Sequence, residues 1–403
     1  MTVQTTSNLT NSIRAQYVAK YWEHLYQNRL YDQLAAPIPG ITMTQAMQGS
    51  SVVIPYLSGM QPAVTAISQT ADLTPQILTD ATKSVTATSR ADALQWAELV
   101  DIQAYTNYGE ERVKKLAENQ TESVEILAIA AALQGTWVER TAARASLDAG
   151  TASHRASDSI FRENQAAMMA RKVLGFMDSD GQTNTWAAIM HPYPYHDICE
   201  SGNVDSIGLY QDQGIHLNFE LGKIGPFRLV VSPFAKVHWC AGAANTTAVA
   251  TTVATQATRL ATTIVTAADV SANVGVGQQW LVGTIETGTT TFYPTNEIFE
   301  APSAVTTTLT IIGEAENDGL RFQHEVGETI SNADSVYTIV FGGPASLVKL
   351  YDAATGEFGS GPIWEETGLV HQFRSVGWKF YGGYGRTSEK LLLRQEVSTS
   401  YEA

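Results

Sequence analysis

A chain of 403 residues is longer than one hydrophobic core usually organises, so several modules are expected. With 44% hydrophobic, 9% aromatic and 16% charged residues it can fill sizeable cores and lacks the charge excess of a disordered chain. Twenty-five basic against forty acidic side chains give a net charge of −15, which excludes a general electrostatic footprint for nucleic acid; a DNA partner would be contained without being gripped. Two cysteines, Cys199 and Cys240, are too few for a disulfide framework and suit folding in a reducing cytosol. The polar N-terminus lacks the basic start and apolar centre of a secretory signal. The longest apolar run, residues 126–133, falls far short of the roughly 20 residues that cross a bilayer, so no membrane span is expected.

In chain order, the first element is an amphipathic stretch over residues 13–34, with Ile13, Tyr17, Tyr21, Leu25 and Leu30 at near-helical spacing, closed by the breaker Pro37-Ile-Pro39-Gly40. It reads as an arm. Residues 49–55 and 84–89 look like two strands of a hairpin. The weakly hydrophobic excursion between them is far longer than the 2–5 residues of ordinary hairpin loops, which predicts a projection that packs on something else.

Proline is absent between Pro75 and Pro192, and Val113, Leu116, Gln120, Val124, Leu127, Ala131 and Val138 follow steps of three, four or seven. This predicts a long helix over residues 110–145, with Gly135 as a place to bend or interrupt it. A second helix is expected over 159–174, capped by Asp158 or Ser159 and stopped by Gly175. Strands at 186–190 and 227–231 follow.

Near Ala241 the chain becomes rich in Thr and Ala. Between Gly242 and Asp334 only Arg259 and Arg321 are basic, against ten acidic residues, and strands are expected at 278–284, 297–301, 307–312 and 321–325. A small β-barrel or sandwich is the predicted outcome. Beyond it, 336–341, 372–381 and 390–397 read as strands, so an acidic insertion interrupts a mixed α and β domain.

No catalytic, cofactor-binding or metal site is assigned. His191, His196 and Cys199 carry zinc-type ligands but lack a second ligand pair, and a strand leading into a helix explains them better. There is no Gly-x-Ser-x-Gly elbow. The adjacent pairs Glu110 and Glu111, and Glu365 and Glu366, face different ways and read as solvated surface. Residues 382–387 have glycines but no Walker spacing, and a flexible turn between strands is expected there. His324, within a glycine-bounded segment at 319–327, is a candidate functional histidine, but an ordered β turn is the better reading. The sequons at Asn8, Asn119 and Asn245 carry no expectation of glycosylation.

Several short cadences occur in a telling order: Gly49-Ser-Ser-Val-Val-Ile-Pro, Ala188-Ile-Met-His-Pro, Leu221-Gly-Lys-Ile-Gly-Pro-Phe-Arg-Leu-Val, Val340-Phe-Gly-Gly-Pro and Ser375-Val-Gly-Trp-Lys-Phe. With an arm, a projecting hairpin and a long helix, they make the chain resemble tailed-phage major capsid proteins of the Hong Kong 97-type fold. Ala261-Thr-Thr-Ile-Val-Thr and Gly275-Val-Gly-Gln-Gln-Trp-Leu-Val-Gly look like small β modules of phage surface proteins.

The resemblance implies an α+β fold: an N-terminal arm (1–48), an extended loop (49–90), a peripheral domain with a spine helix (91–158) and an axial domain in two parts (159–241 and 335–366). Residues 367–403 would return as strands. The acidic stretch 242–334 departs from the family's minimal pattern and reads as an inserted all-β domain, expected on the outer surface because inside it would take up space needed by DNA and add like charge against its phosphates. The resemblance implies a structural protein without catalysis or cofactor, assembling with itself as hexamers and pentamers in the host cytoplasm and residing in the virion. Scaffolding and portal proteins, decoration proteins and packaged double-stranded DNA would be its partners. The alternatives are a soluble enzyme or carbohydrate-binding protein with a β recognition module, and a phage tail or decoration protein.

Overall fold

The structure is a computed structural model that describes residues 29–37, 51–57, 59–64, 75–103, 108–177, 184–201, 205–206, 220–243, 249–274, 278–315, 317–352, 359–367 and 372–402. Most of the expected arm, the excursion's centre at 65–74, Gly275–277 and the sequons at Asn8 and Asn245 lie outside the described residues. The chain divides into two compact units, one holding residues 1–27, 36–124 and 348–387 and the other 28–35, 125–347 and 388–403. Among the described residues no helix is long and apolar enough to cross a membrane.

The helices are α1 (Glu98–Gln103), α2 (Tyr108–Leu133), α3 (Asp158–Ala170) and α4 (Pro192–Glu200). In α2 the residues at Val113, Leu116, Gln120, Val124 and Ala131 are buried, as a one-faced stripe requires. The helix is shorter than the sequence predicted. It ends at Leu133, whose carbonyl accepts a 2.6 Å hydrogen bond from the buried Arg394 Nη1, and Val138 opens the short strand Val138–Arg140 instead of continuing the helix. Two other boundaries differ from expectation. The N-cap position of α3 is Ser157, and the helix ends at Ala170, followed by Arg171 as C-cap and by Lys172 in the left-handed conformation (φ 54°) usually left to glycine, three residues before Gly175.

In the second unit a nine-stranded sheet runs in the order Val138–Arg140, Leu392–Val397, Val336–Gly342, Asn184–Met190, Phe227–Val231, Glu220–Ile224 and Asp205–Ser206. Val237–His238 also pairs with Val336–Gly342, and Phe176–Met177 with Asn184–Met190. Strand Val336–Gly342 is buried throughout, which explains an apolar run broken only by Thr338. Phe227 lies parallel to Trp186 in register, and with Phe161 and Phe341 these rings form the centre of the core.

The same unit holds a six-stranded sheet built only from residues 250–331, in the order Ala250–Thr252, Thr329–Ser331, Gln279–Gly283, Glu297–Val305, Thr308–Ile312 and Thr263–Val265. Its core is separate, with Trp280, Phe299, Leu309 and Ile330 fully buried or nearly so. Residues 321–325, read from sequence as a strand, make only an isolated bridge between Ala257 and His324; their side chains and amides are taken up by a carboxylate cluster instead of a ladder. The chain enters and leaves side by side, since Gly242 N donates to Asp334 O at 2.8 Å.

In the first unit, Phe373–Arg386 pairs along Thr88–Ala97 and Ser360–Thr367. The expected turn at 382–387 is absent, because Gly382, Gly383 and Gly385 lie inside this 14-residue strand. Their glycines serve close packing. A Cβ would collide with the Leu350 carbonyl at Gly382, with the Thr86 carbonyl at Gly383 and with the Val85 side chain at Gly385.

Candidate assembly surface

The strands Ser51–Leu57 and Asp80–Thr86 form a separate antiparallel ribbon in which Val52 faces Val85 and Leu57 faces Asp80. Its root is anchored by Val52, Val85, Ala87, Val348 and Leu350. Beyond that cluster no residue of the described ribbon is buried. Past Leu57, Gln61 and Gln76 hold the two limbs together, with Gln61 N donating to Gln76 Oε1 at 2.9 Å and Gln76 Nε2 to Gln61 O at 3.0 Å.

This unsupported ribbon nevertheless carries large apolar side chains. Val64 is 91% and Ile77 90% exposed, and Tyr56, Leu57 and Met60 are each more than half exposed. A two-stranded ribbon is marginal in water by itself, and among the described residues nothing covers this apolar area. The sequence indicated the projection through its length. It did not flag these side chains, because they follow no single period.

The zinc-type residues are not brought together as a metal centre. His191 is the N-cap of α4, its Nδ1 accepting the Tyr193 N–H at 3.4 Å, with Pro192 at the first helical position. Burial lowers its pKa to about 4, so the ring is neutral and able to accept. His196 has Asp197 and Glu200 as near neighbours, within 4.8 Å, but Asp197 is already engaged by the Ser400 N–H and hydroxyl, while His196 and Glu200 are largely exposed. Glu366 stands 4.0 Å from Arg374 on the surface strand Ser360–Thr367.

The carboxylates that do stand in built environments were missed in sequence. Glu396 is fully buried and receives Arg140 Nε at 2.6 Å, Arg144 Nε at 2.9 Å and Arg144 Nη2 at 2.5 Å. Burial alone would raise its pKa, but the Arg144 and Arg140 hydrogen bonds outweigh burial and hold it at about 2. Lys236 and Glu286 form a buried pair, with Asn296 Nδ2 donating to the second carboxylate oxygen at 3.1 Å. Glu125 on α2 accepts the Leu30 and Tyr31 amides at 2.8 and 2.6 Å, and burial raises its pKa to about 7. Each of these groups is explained by the structure it holds together. Their contacts fasten distant segments of the chain to one another.

No family model and no curated protein matches the sequence. Solved structures do match its fold. The capsid of Ralstonia phage GP4 superposes with a TM-score of 0.52 at 10% identity, covering 93% of this chain and 92% of that one. The cyanophage Pam1 capsid asymmetric unit gives 0.50 at 11% identity, covering 93% of each chain. The chain has a phage capsid protein fold. It is the mixed α and β, Hong Kong 97-type fold expected from the sequence, reached with about one residue in ten identical, so the likeness lies in the course of the backbone.

Proposed function

We propose that this chain is the major subunit of a phage head shell, assembling with copies of itself as hexamers and pentamers around packaged double-stranded DNA. Its role is structural. The capsid fold supports the class, and the observation that carries self-assembly is the ribbon with Val64 and Ile77 about nine-tenths exposed, an apolar projection that needs a neighbour to cover it. Repeated many times around a closed shell, one such contact adds buried area without a larger body.

In this reading residues 1–48 are the arm, 49–90 the extended loop, 91–158 the peripheral domain and 159–241 with 335–366 the axial domain. The acidic stretch 242–334 is an inserted module on the outside. A net charge of −15 then keeps packaged DNA from condensing on the wall. Scaffolding and portal proteins would act during assembly in the host cytoplasm. Co-expression with those factors, followed by sedimentation and negative-stain microscopy, is expected to give closed particles of megadalton size. Persistent monomers under those conditions would overturn the reading.

A further inference from the structure

In the six-stranded sheet's unit, His324 is fully buried and both of its ring nitrogens meet carboxylates. Nε2 lies 2.8 Å from Glu297 Oε2, on strand Glu297–Val305, and Nδ1 lies 2.7 Å from Glu328 Oε2, at the far end of its own loop. A neutral imidazole has one N–H and one lone pair, so it can satisfy only one of these carboxylates. The other would face a lone pair at hydrogen-bond distance. The observed arrangement therefore fits the doubly protonated ring, with both nitrogens donating.

The two carboxylates also hold the loop's backbone. Glu297 accepts the Arg321 N–H at 2.5 Å and the Phe322 N–H at 2.9 Å, and Glu328 Oε1 accepts the Glu325 N–H at 3.0 Å. Five further backbone bonds do not involve the side-chain cluster: Ala257 with His324 in both directions, at 3.0 and 2.9 Å, Gly327 N to Val253 O and Val253 N to Glu328 O, both at 2.9 Å, and Glu328 N to Glu325 O at 3.3 Å. The loop is thus held by two sets of bonds, one dependent on the imidazolium and one not. Its residues Arg321, Gln323, Glu325, Val326 and Gly327 are exposed, so it can open without disturbing the core.

We propose that His324 is a proton-held clasp: as an imidazolium bridging Glu297 and Glu328 it closes the 321–328 loop onto the sheet, and its deprotonation as pH rises releases the Arg321, Phe322 and Glu325 amides. The charged groups found against the ring are Glu297 and Glu328 alone among the described residues. Burial works against the ring's charge, but the Glu297 and Glu328 hydrogen bonds outweigh it and raise the pKa, while the same contact lowers that of Glu297 against its own burial. With the folded value raised, the clasp is fully closed below the ordinary His value of about 6.5 and is lost as pH rises through the folded value. Closing is linked to one proton, so the open population rises by up to about tenfold per pH unit in that window and then levels off.

The test is residue-resolved amide exchange on the full chain from pH 6 to 9, corrected for intrinsic exchange, together with nitrogen-15 spectra of the His324 ring. The ring is expected to carry two protons at pH 6. The protection of Arg321, Phe322 and Glu325 is expected to fall by up to about tenfold per pH unit before levelling, while Ala257 and Gly327 keep theirs. In His324→Gln the first three amides should be weakly protected at every pH. If that variant does not fold, Glu328→Gln, which leaves the ring and Glu297 in place, should shift the transition to lower pH. A singly protonated ring at pH 6, or unchanged protection of the three amides across the range, would overturn the proposal.

Discussion

Glu396→Gln keeps the shape of a fully buried side chain and removes the charge that gathers Arg140, Arg144 and Arg394. The carboxylate is held at about 2 against an ordinary 4.5, and at ~1.4 kcal/mol per pKa unit this corresponds to about 3 kcal/mol of stability. A value of that size agrees with the ~3–5 kcal/mol expected when one partner of a buried ionic cluster is removed. Because the folded pKa lies below the unfolded one, the contribution is complete above about pH 4.5 and disappears as pH falls towards 2. Urea unfolding of the unassembled chain, followed by circular dichroism from pH 7 to pH 2, should show the variant less stable by about 3 kcal/mol at neutral pH. The two curves should converge at the acid end. Titrating groups away from Glu396 act on both proteins alike and cancel in the difference, whereas His238, 3.9 Å from the carboxylate, also responds to its removal at the acid end. A gap that stays constant with pH, or one below about 1 kcal/mol at pH 7, would refute the role given to the arginine cluster.

Glu125→Gln should behave with the opposite sign. Its folded pKa is raised to about 7, so wild-type stability falls as pH rises from 4.5 to 7, and the amide, which keeps an oxygen for the Leu30 and Tyr31 amides, should be the more stable protein at pH 8 by up to about 3 kcal/mol and equal at pH 4. Equal unfolding midpoints at pH 8 would contradict this. Gly383→Ala places a Cβ against the Thr86 carbonyl and should lower stability by about 1–3 kcal/mol, whereas Gly59→Ala, with open space around it, should stay within about 0.5 kcal/mol in the same thermal melts. Val64→Asp and Ile77→Asp, both at exposed positions, should leave the unassembled chain's melting unchanged within about 0.5 kcal/mol yet abolish particles seen by sedimentation; particles at wild-type yield would show that the ribbon's apolar tip is not a contact.

The elements most legible in the sequence were those with one strong period and one environment. Val336–Gly342 and Phe227–Val231 are near-continuous apolar runs buried in a sheet, and the stripe from Val113 to Ala131 is one helical face. What sequence could not supply were the places where a distant side chain sets the outcome. Arg394 ends α2 at Leu133, and the neighbouring carbonyls of Leu350 and Thr86 turn a glycine-rich segment into a strand. The same limit hid the carboxylates. Glu297, Glu328 and Glu396 carry no local mark that sets them apart from the many surface glutamates, and only the fold brings His324 and the arginines to them. The ribbon was readable as an unusually long excursion, but its apolar tip became apparent only once the strands showed that nothing in the described chain covers it.

The most direct test of shell assembly through the ribbon is a density map of particles formed by the full chain. The map is expected to show a closed icosahedral shell in which Val64 and Ile77 of each copy are seated against a neighbouring copy, with the acidic 242–334 stretch on the outer face. Particles in which the ribbon folds back onto its own chain, leaving no contact with a neighbour, would contradict it.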